Sequence, residues 1–177
     1  MVPSMKLQRI QVTNFRAVED STPFTVKQIT CLVGKNESGK TTLLQALERL
    51  NPVEASRKTY NKLLDYPRRH LADYATRHQN GEAHVLRTEW EIEPEDRAAL
   101  EEEFGPNCLF SDKPLVLTKQ YEQEGASWTV PLNEAQALQH LVGQAGLNAT
   151  ERRSLDKLGT IKELHTHLAA LTERTPA

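Results

Sequence analysis

Eight consecutive residues carry the most specific chemistry in the chain: Gly34, Lys35, Asn36, Glu37, Ser38, Gly39, Lys40 and Thr41. They match G-x-x-x-x-G-K-[ST] in full, the pattern of a phosphate-binding loop. Gly34 and Gly39 let the backbone curl so that successive N–H groups converge on a di- or triphosphate. Lys40 should reach the β- and γ-phosphates as a point charge, and Thr41 should give its hydroxyl to Mg2+. Thr42 is placed to bond the α-phosphate. Asn36, Glu37 and Ser38 form the bend, where the pattern requires only that the backbone turn. The predicted nucleotide site is therefore Gly34, Asn36, Glu37, Ser38, Gly39, Lys40, Thr41 and Thr42. ATP and Mg2+ are the cofactors, and Thr41 is the metal ligand.

Such a loop works only between a strand and a helix that hold it. Residues 28–33, QITCLV, are nearly all apolar and predict a buried central strand. Cys31 inside it reads as a small buried hydrophobe. From Lys40 to Leu50 the leucines at 43, 44, 47 and 50 recur at helical spacing, and Pro52 ends the helix. Upstream, Leu7, Ile10, Val12 and Phe15 alternate with polar residues, which predicts a strand over 5–15 with one wet face; 23–26 is a second, short strand.

Downstream, 83–93 alternates as a strand. Residues 94–105 form a short helix with proline at its start, acids in its first turn and glycine at its end. Residues 113–130 read as a hairpin turning near Glu124 and Gly125, with Trp90 and Trp128 expected in the core. From about 133 the pattern is helical only, in three amphipathic segments separated by Gly143, Gly146 and Gly159. Thr160 and Glu163 form a capping-box pattern. Ile161, Leu164, Leu168 and Leu171 predict a helix packed on its neighbours, since a coiled-coil seam needs three or more heptads.

Grip on phosphate is not hydrolysis, which also needs a second carboxylate for Mg2+ and a group to position water. The usual source is an apolar run ending in Asp, often followed by Glu. Here the best apolar run, 114–117, is followed by Thr118 and Lys119; Asp112 ends a shorter run behind Gly105 and Pro106. No catalytic residue is assigned on this basis.

Composition excludes several classes. Lys and Arg total 22 against 24 Asp and Glu, so bulk charge predicts neither a nucleic-acid nor a membrane partner. Locally, 57–78 holds six Lys or Arg against two acids, while 89–104 holds eight acids against one arginine. The first stretch reads as a solvated loop, with direct DNA contact as the alternative. The two cysteines make no disulfide framework. His165 and His167, two apart, would fall on different faces of a helix and do not suggest a metal site. No apolar run of about 18 residues and no leader-like start is present, so a cytoplasmic protein with no membrane association is expected.

Taken together, MKLQRIQVTNFRAVED, FTVKQITCLV and GKNESGKTTLLQAL resemble the N-terminal end of an SMC/RecF-type ABC ATPase head. Asn14-Phe15-Arg16 is the step that ends the first strand in that group. The loop wording is similar to that of OLD-family (overcoming lysogenisation defect) and related bacterial and phage-defence ATPases. The resemblance implies an α/β fold: a P-loop NTPase forming a partial ABC-ATPase head, with an N-terminal ATP-binding lobe and mixed sheet over 1–131. A helical segment, 132–177, would begin an insertion or dimerisation region. Arg16 would approach the nucleotide phosphates; from the residues alone it reads equally as an exposed strand-end arginine.

The resemblance also implies a signature loop with adjacent glycines, an apolar strand ending Asp-Glu and a switch histidine; these residues contain no Gly-Gly pair and no apolar run ending Asp-Glu. Hydrolysis is thus expected to require a C-terminal lobe and a partner head. The implied partners are that lobe, a second copy through the head or the helical region, and DNA for the intact protein, in DNA repair or phage defence. A glutamine is also implied, and Gln120 and Gln123 are both available. Two other readings stand beside this one. A small stand-alone P-loop kinase is disfavoured by the two strands that precede the loop. A non-enzymatic split or truncated module would act through its helical tail.

Overall fold

The computed structural model describes residues 5–36, 38–54, 57–147, 152–153, 155 and 157–172. The chain divides into two compact units, one of residues 5–91 and 114–130, the other of 92–113 and the stretch from 131 onward.

The first unit is a sheet with a helix on it. The alternating N-terminal segment forms β1 (Lys6–Phe15). It is followed by β2 (Val18–Asp20), β3 (Phe24–Thr25), β4 (His84–Glu91), β5 (Leu115–Gln120) and β6 (Ser127–Thr129). The order is β2-β1-β4-β5-β6, with β3 also pairing β1. Every pairing between these strands is antiparallel. The expected mixed sheet is therefore corrected: parallel pairing among the described residues is confined to the isolated bridge between Tyr60 and Tyr121.

Simple alternation along β1 would bury Asn14 after Ile10 and Val12. Instead Asn14 takes φ 51°, a left-handed conformation that asparagine tolerates, and Phe15 enters the core. The core joins Ile10, Val12, Phe15, Val85 and Leu86 of the sheet to Ala46, Tyr60, Tyr66 and Tyr121. Helix α1 (Lys40–Glu48) covers it with Ala46, Leu43 and Leu47.

The predicted strand over 28–33 does not form. Ile29 is 83% and Val33 93% exposed, and Cys31 is exposed rather than buried. The reason is pairing. A central strand needs a ladder on each side, but β1 is bonded along one edge to β4 and along the other to β2 and β3. β1 thus has no free edge for 28–33. Trp128 is likewise corrected: it lies on β6, bonded to β5, with half its surface open. Trp90 is partly buried, and its indole N–H donates to Thr88 Oγ1 at 2.8 Å.

Between α1 and β4 the chain makes two one-turn helices that periodicity did not reveal, α2 (Lys62–Asp65) and α3 (Tyr74–Arg77), with a 3-10 turn at Arg68–His70. Asn61 caps α2, its side chain accepting from Leu64 N at 3.1 Å.

The second unit is helical: α4 (Pro94–Phe104), α5 (Glu134–Gln144) and α6 (Ile161–Thr172). Pro94 opens α4 and Gly105, at φ 95°, closes it. The capping box at α6 is present: Glu163 N donates to Thr160 Oγ1 at 3.2 Å, and Thr160 N to Glu163 Oε2 at 3.3 Å. Ile161 packs on Cys108, Leu109 and Ala137, and Leu164 on Leu138, Val142 and Leu155. Burial pushes the Cys108 thiol up from its ordinary value. Among the described residues no helix is long and apolar enough to cross a membrane.

Candidate functional site

The loop from Gly34 to Gly39 runs into the first turn of α1, as its spacing predicted. Gly39 sits at φ 87°, the helix N-cap position, where an L side chain is strained. A Cβ there would also meet Val18 Cγ2 of β2 at 2.9 Å. At Gly34 a Cβ would come within 2.7 Å of Ser38 Oγ. Conformation and close approach together favour glycine at 39; at 34 the neighbour is a serine hydroxyl that can turn aside.

Gly39 supplies no side-chain cap, and the first turn of α1 carries no acid. Its leading N–H groups and the positive end of the dipole are left for an external anion. Lys40 lies across the loop mouth. Its Nζ donates to Gly34 O at 2.7 Å, Lys35 O at 2.6 Å and Ser38 Oγ at 3.2 Å. Ser38 N in turn donates to Lys35 O at 3.2 Å. The loop oxygens hold the ammonium where a phosphate would compete for it. Thr41 is exposed and Thr42 half-buried on the same turn; Asn36 is exposed on the bend, and Glu37 lies outside the described residues.

Arg16 is not a free strand-end arginine. It follows Phe15 at φ 52°, and its main-chain N–H donates to Asp65 O at 2.6 Å. Its Nε and Nη2 each lie 3.2 Å from Asp65 Oδ1, and Nη1 donates to Gln45 Oε1 on α1 at 2.6 Å. Asp65 is buried and also receives both terminal nitrogens of Arg49, at 2.6 and 3.0 Å, and Asn61 N at 3.1 Å. One carboxylate therefore serves two guanidinium groups. Arg49 stacks over Phe15 and Tyr60, and the Tyr60 hydroxyl donates to Ala46 O at 2.7 Å.

Lys119, buried on β5, reaches the last turn of α1. Its Nζ donates to Arg49 O at 2.7 Å and to Lys58 O. Burial, with the charges of Lys58 and Arg49 adding to it, holds its pKa down at about 8. Burial keeps the Tyr60 and Tyr121 hydroxyls neutral well above the usual tyrosine range.

None of Asp65, Gln45, Arg49 or Lys119 stood out in sequence. Asp65 sat in a stretch remarkable only for positive charge, and an arginine after an amphipathic helix reads as solvated. The one usable signal was the excess of cations over 57–78. The structure pairs half of these Lys and Arg side chains locally. Arg57 pairs with Glu48, Lys62 with Glu82, and Arg69 and His70 with Glu19. The His70 hydrogen bond, then Arg69, holds the Glu19 carboxyl below its ordinary range. Lys58, Arg68 and Arg77 remain exposed.

Of the two glutamines, Gln123 closes the hairpin, accepting from Gln120 N at 3.2 Å and donating to Ser127 Oγ at 3.1 Å. Gln120 lies beside His84 at 3.1 Å and lines a polar cleft of about 460 Å³ with His78 and Glu82. Asp112 is exposed in a turn of the helical unit. Among the described residues no cluster of three or more His, Cys, Asp or Glu could hold a metal ion.

An antiparallel sheet bearing a helix with glycines at its head is an α/β architecture. The family model of the AAA ATPase domain matches residues 5–159, most of the chain. The chain belongs to that family, and membership implies nucleotide binding, typically with Mg2+. No curated protein and no solved structure gives a significant match.

Proposed function

We propose that this chain is the ATP-binding N-terminal lobe of a larger, DNA-acting ABC-type ATPase of the SMC/RecF and OLD-like kind. The observation that carries the reading is the uncapped start of α1, headed by Gly39 at φ 87° and by a lysine held, among the described residues, by loop oxygens. Its residues fit Mg·ATP. The amides after Gly39 and the Lys40 ammonium would hold the phosphates, Thr41 would ligate Mg2+, and Thr42 would bond the α-phosphate. The metal would neutralise charge on the transferring phosphoryl group.

Hydrolysis in this reading awaits a second lobe and a partner head, which could be a second copy of the chain. The apolar surface beside the loop supports it. Ile29, Val33 and Leu44 are exposed, and a cleft of about 260 Å³ lined by Leu32, Leu43, Leu44 and Phe24 lies open beside α1. Contiguous apolar surface of this kind marks an interaction site. For DNA, Lys58, Arg68 and Arg77 are the exposed cations of the basic stretch with no ion pair, so contact by this stretch alone would be weak and would weaken further with salt.

Equilibrium titration with a fluorescent ATP analogue, with and without Mg2+, tests the reading. Binding by the native chain and its loss in Lys40→Ala are expected. Unchanged binding in Lys40→Ala overturns the loop assignment.

A further inference from the structure

The polar cleft beside Gln120 is no part of the nucleotide site: none of its lining residues lies in the loop or on α1. At about 460 Å³ it falls within the range of ligand pockets, roughly 300–1,000 Å³. The end of α3, the turn after it and the start of β4 form its walls, and Gln120 closes it from β5.

Three of its side chains are held from behind. His78 Nε2 lies 3.0 Å from the hydroxyl of the buried Tyr66. His84 Nε2 lies 3.1 Å from Gln120 Nε2, and its main-chain oxygen accepts from Thr13 Oγ1 at 2.7 Å and Asn14 Nδ2 at 3.2 Å. Glu82 accepts from Lys62 Nζ at 2.7 Å through one oxygen and from the Tyr74 hydroxyl at 2.6 Å through the other. An amide nitrogen only donates, so the Gln120 contact makes His84 Nε2 an acceptor and puts the neutral ring's proton on Nδ1. The Tyr66 hydroxyl can set His78 the same way. Burial, then the Arg77 charge, holds His78 below its ordinary pKa, with His84 acting in the same sense and Glu82 against it.

The groups left open decide the sign of the ligand. The carboxylate of the lining, Glu82, is matched by Lys62 and has both oxygens in use, so little remains for a cation. What remains are donors: the free ring nitrogens of His78 and His84, and Arg77, which is exposed and has no ion pair among the described residues. Gly81, at φ 141°, adds open backbone, since a Cβ there would meet no atom within 4 Å.

We propose that this cleft is a second anion site, apart from the loop, that takes a phosphate group on Arg77, His78 and His84. The guanidinium supplies the planar fork that suits phosphate oxygens, and each ring supplies one N–H. The phosphate arrives either on a small phosphate ester or along a nucleic-acid backbone, which present the same oxygens.

The test is an NMR titration of the 177-residue chain with inorganic phosphate at fixed pH, read on the histidine rings, with sodium chloride at matched ionic strength as reference. Saturable shifts of His78 and His84 are expected, with His165 on α6 unmoved. Arg77→Ala should weaken binding about tenfold, the worth of one charge-assisted hydrogen bond. His84→Ala should weaken it about threefold, the worth of one neutral hydrogen bond. Glu82→Gln removes the carboxylate and should tighten binding about threefold, a gain that a purely structural role would not produce. Lys40→Ala should leave the shifts unchanged.

Glycerol phosphate and a short single-stranded oligonucleotide then separate the sources. The one that moves the same rings at the lower concentration, and loses that effect in Arg77→Ala, is the class of ligand the cleft takes. Shifts that chloride reproduces, or that keep full affinity in Arg77→Ala, overturn the proposal and leave the nucleotide reading untouched. Loss of the shifts in Lys40→Ala would put the phosphate at the loop, which overturns the second site and supports the first.

Discussion

The two ends of α1 are built to opposite rules. At its C-terminal end, Arg49 is buried against Phe15 and Tyr60, clamped by Asp65, and its carbonyl is capped by a buried lysine from β5. At its N-terminal end, the loop is exposed, the helix is uncapped, and among the described residues Lys40 bonds to the carbonyls and hydroxyl of its own loop. The first end commits both terminal nitrogens of Arg49 and the Lys119 ammonium to other parts of the chain; the second has no side-chain cap. A binding loop can remain open because the helix that bears it is fixed elsewhere, and the fixing end carries the stability.

That contrast can be broken by experiment, and the largest effect should come from the clamped end. Asp65→Ala strands two arginines, one of them buried. It should cost about 3–5 kcal/mol in urea unfolding, as for other buried pairs that lose one partner. Lys40→Ala should change stability by no more than about 0.5 kcal/mol while abolishing analogue binding. The reverse pattern would mean that the loop, not the clamp, organises the helix.

Next comes pH. Lys119 has its pKa held at about 8 in the fold, against 10.5 ordinarily. Between these values the unfolded chain binds a proton that the folded chain does not, so stability should rise with pH from about 8, by roughly 1–3 kcal/mol. Above about pH 10 the sign turns, because Tyr60 and Tyr121 stay protonated in the fold while unfolded tyrosines ionise. Denaturation midpoints taken from pH 7 to 11 should therefore pass through a maximum. Lys119→Met should erase the rising limb and keep the falling one.

A smaller effect is expected at the loop. Gly39→Ala forces a methyl group to φ 87° and onto Val18, and should cost about 1 kcal/mol of stability together with a larger loss of analogue affinity. A stability loss with full binding would show that the loop does not need this geometry. The smallest effect belongs to the exposed pair between Arg57 and Glu48, just beyond the clamp. Arg57→Ala should shift stability by under about 0.5 kcal/mol, and less still in high salt.

Much of the fold was legible in the residues because its signals are local. The alternation of Leu7, Ile10 and Val12 appears as β1, the leucine spacing as α1, and the Pro94-to-Gly105 frame as α4. The hairpin near Gly125 and the Thr160–Glu163 box also appear where expected. The failures share one cause. Residues 28–33 have the composition of a buried strand, and Cys31 and Trp128 that of core side chains. Burial, however, belongs to the neighbours and not to the segment. Apolar residues become a central strand only where ladder partners exist on both sides, and β1 offers none to 28–33.

What the sequence by itself determined is the pattern on which the proposed phosphate loop rests: two glycines, a lysine and a threonine at fixed spacing, at the head of a helix. These residues are within eight positions of one another, so their relation survives any arrangement of the rest. What only the tertiary structure decided is the company kept by Arg16 and α1. Asp65 reaches Arg16 across 49 residues, and Lys119 reaches the end of α1 across 70. Neither pairing has a local pattern, since charged side chains find partners through the topology that brings their segments together. The helix that carries the loop is written locally; the anchors that hold it still are set by the fold.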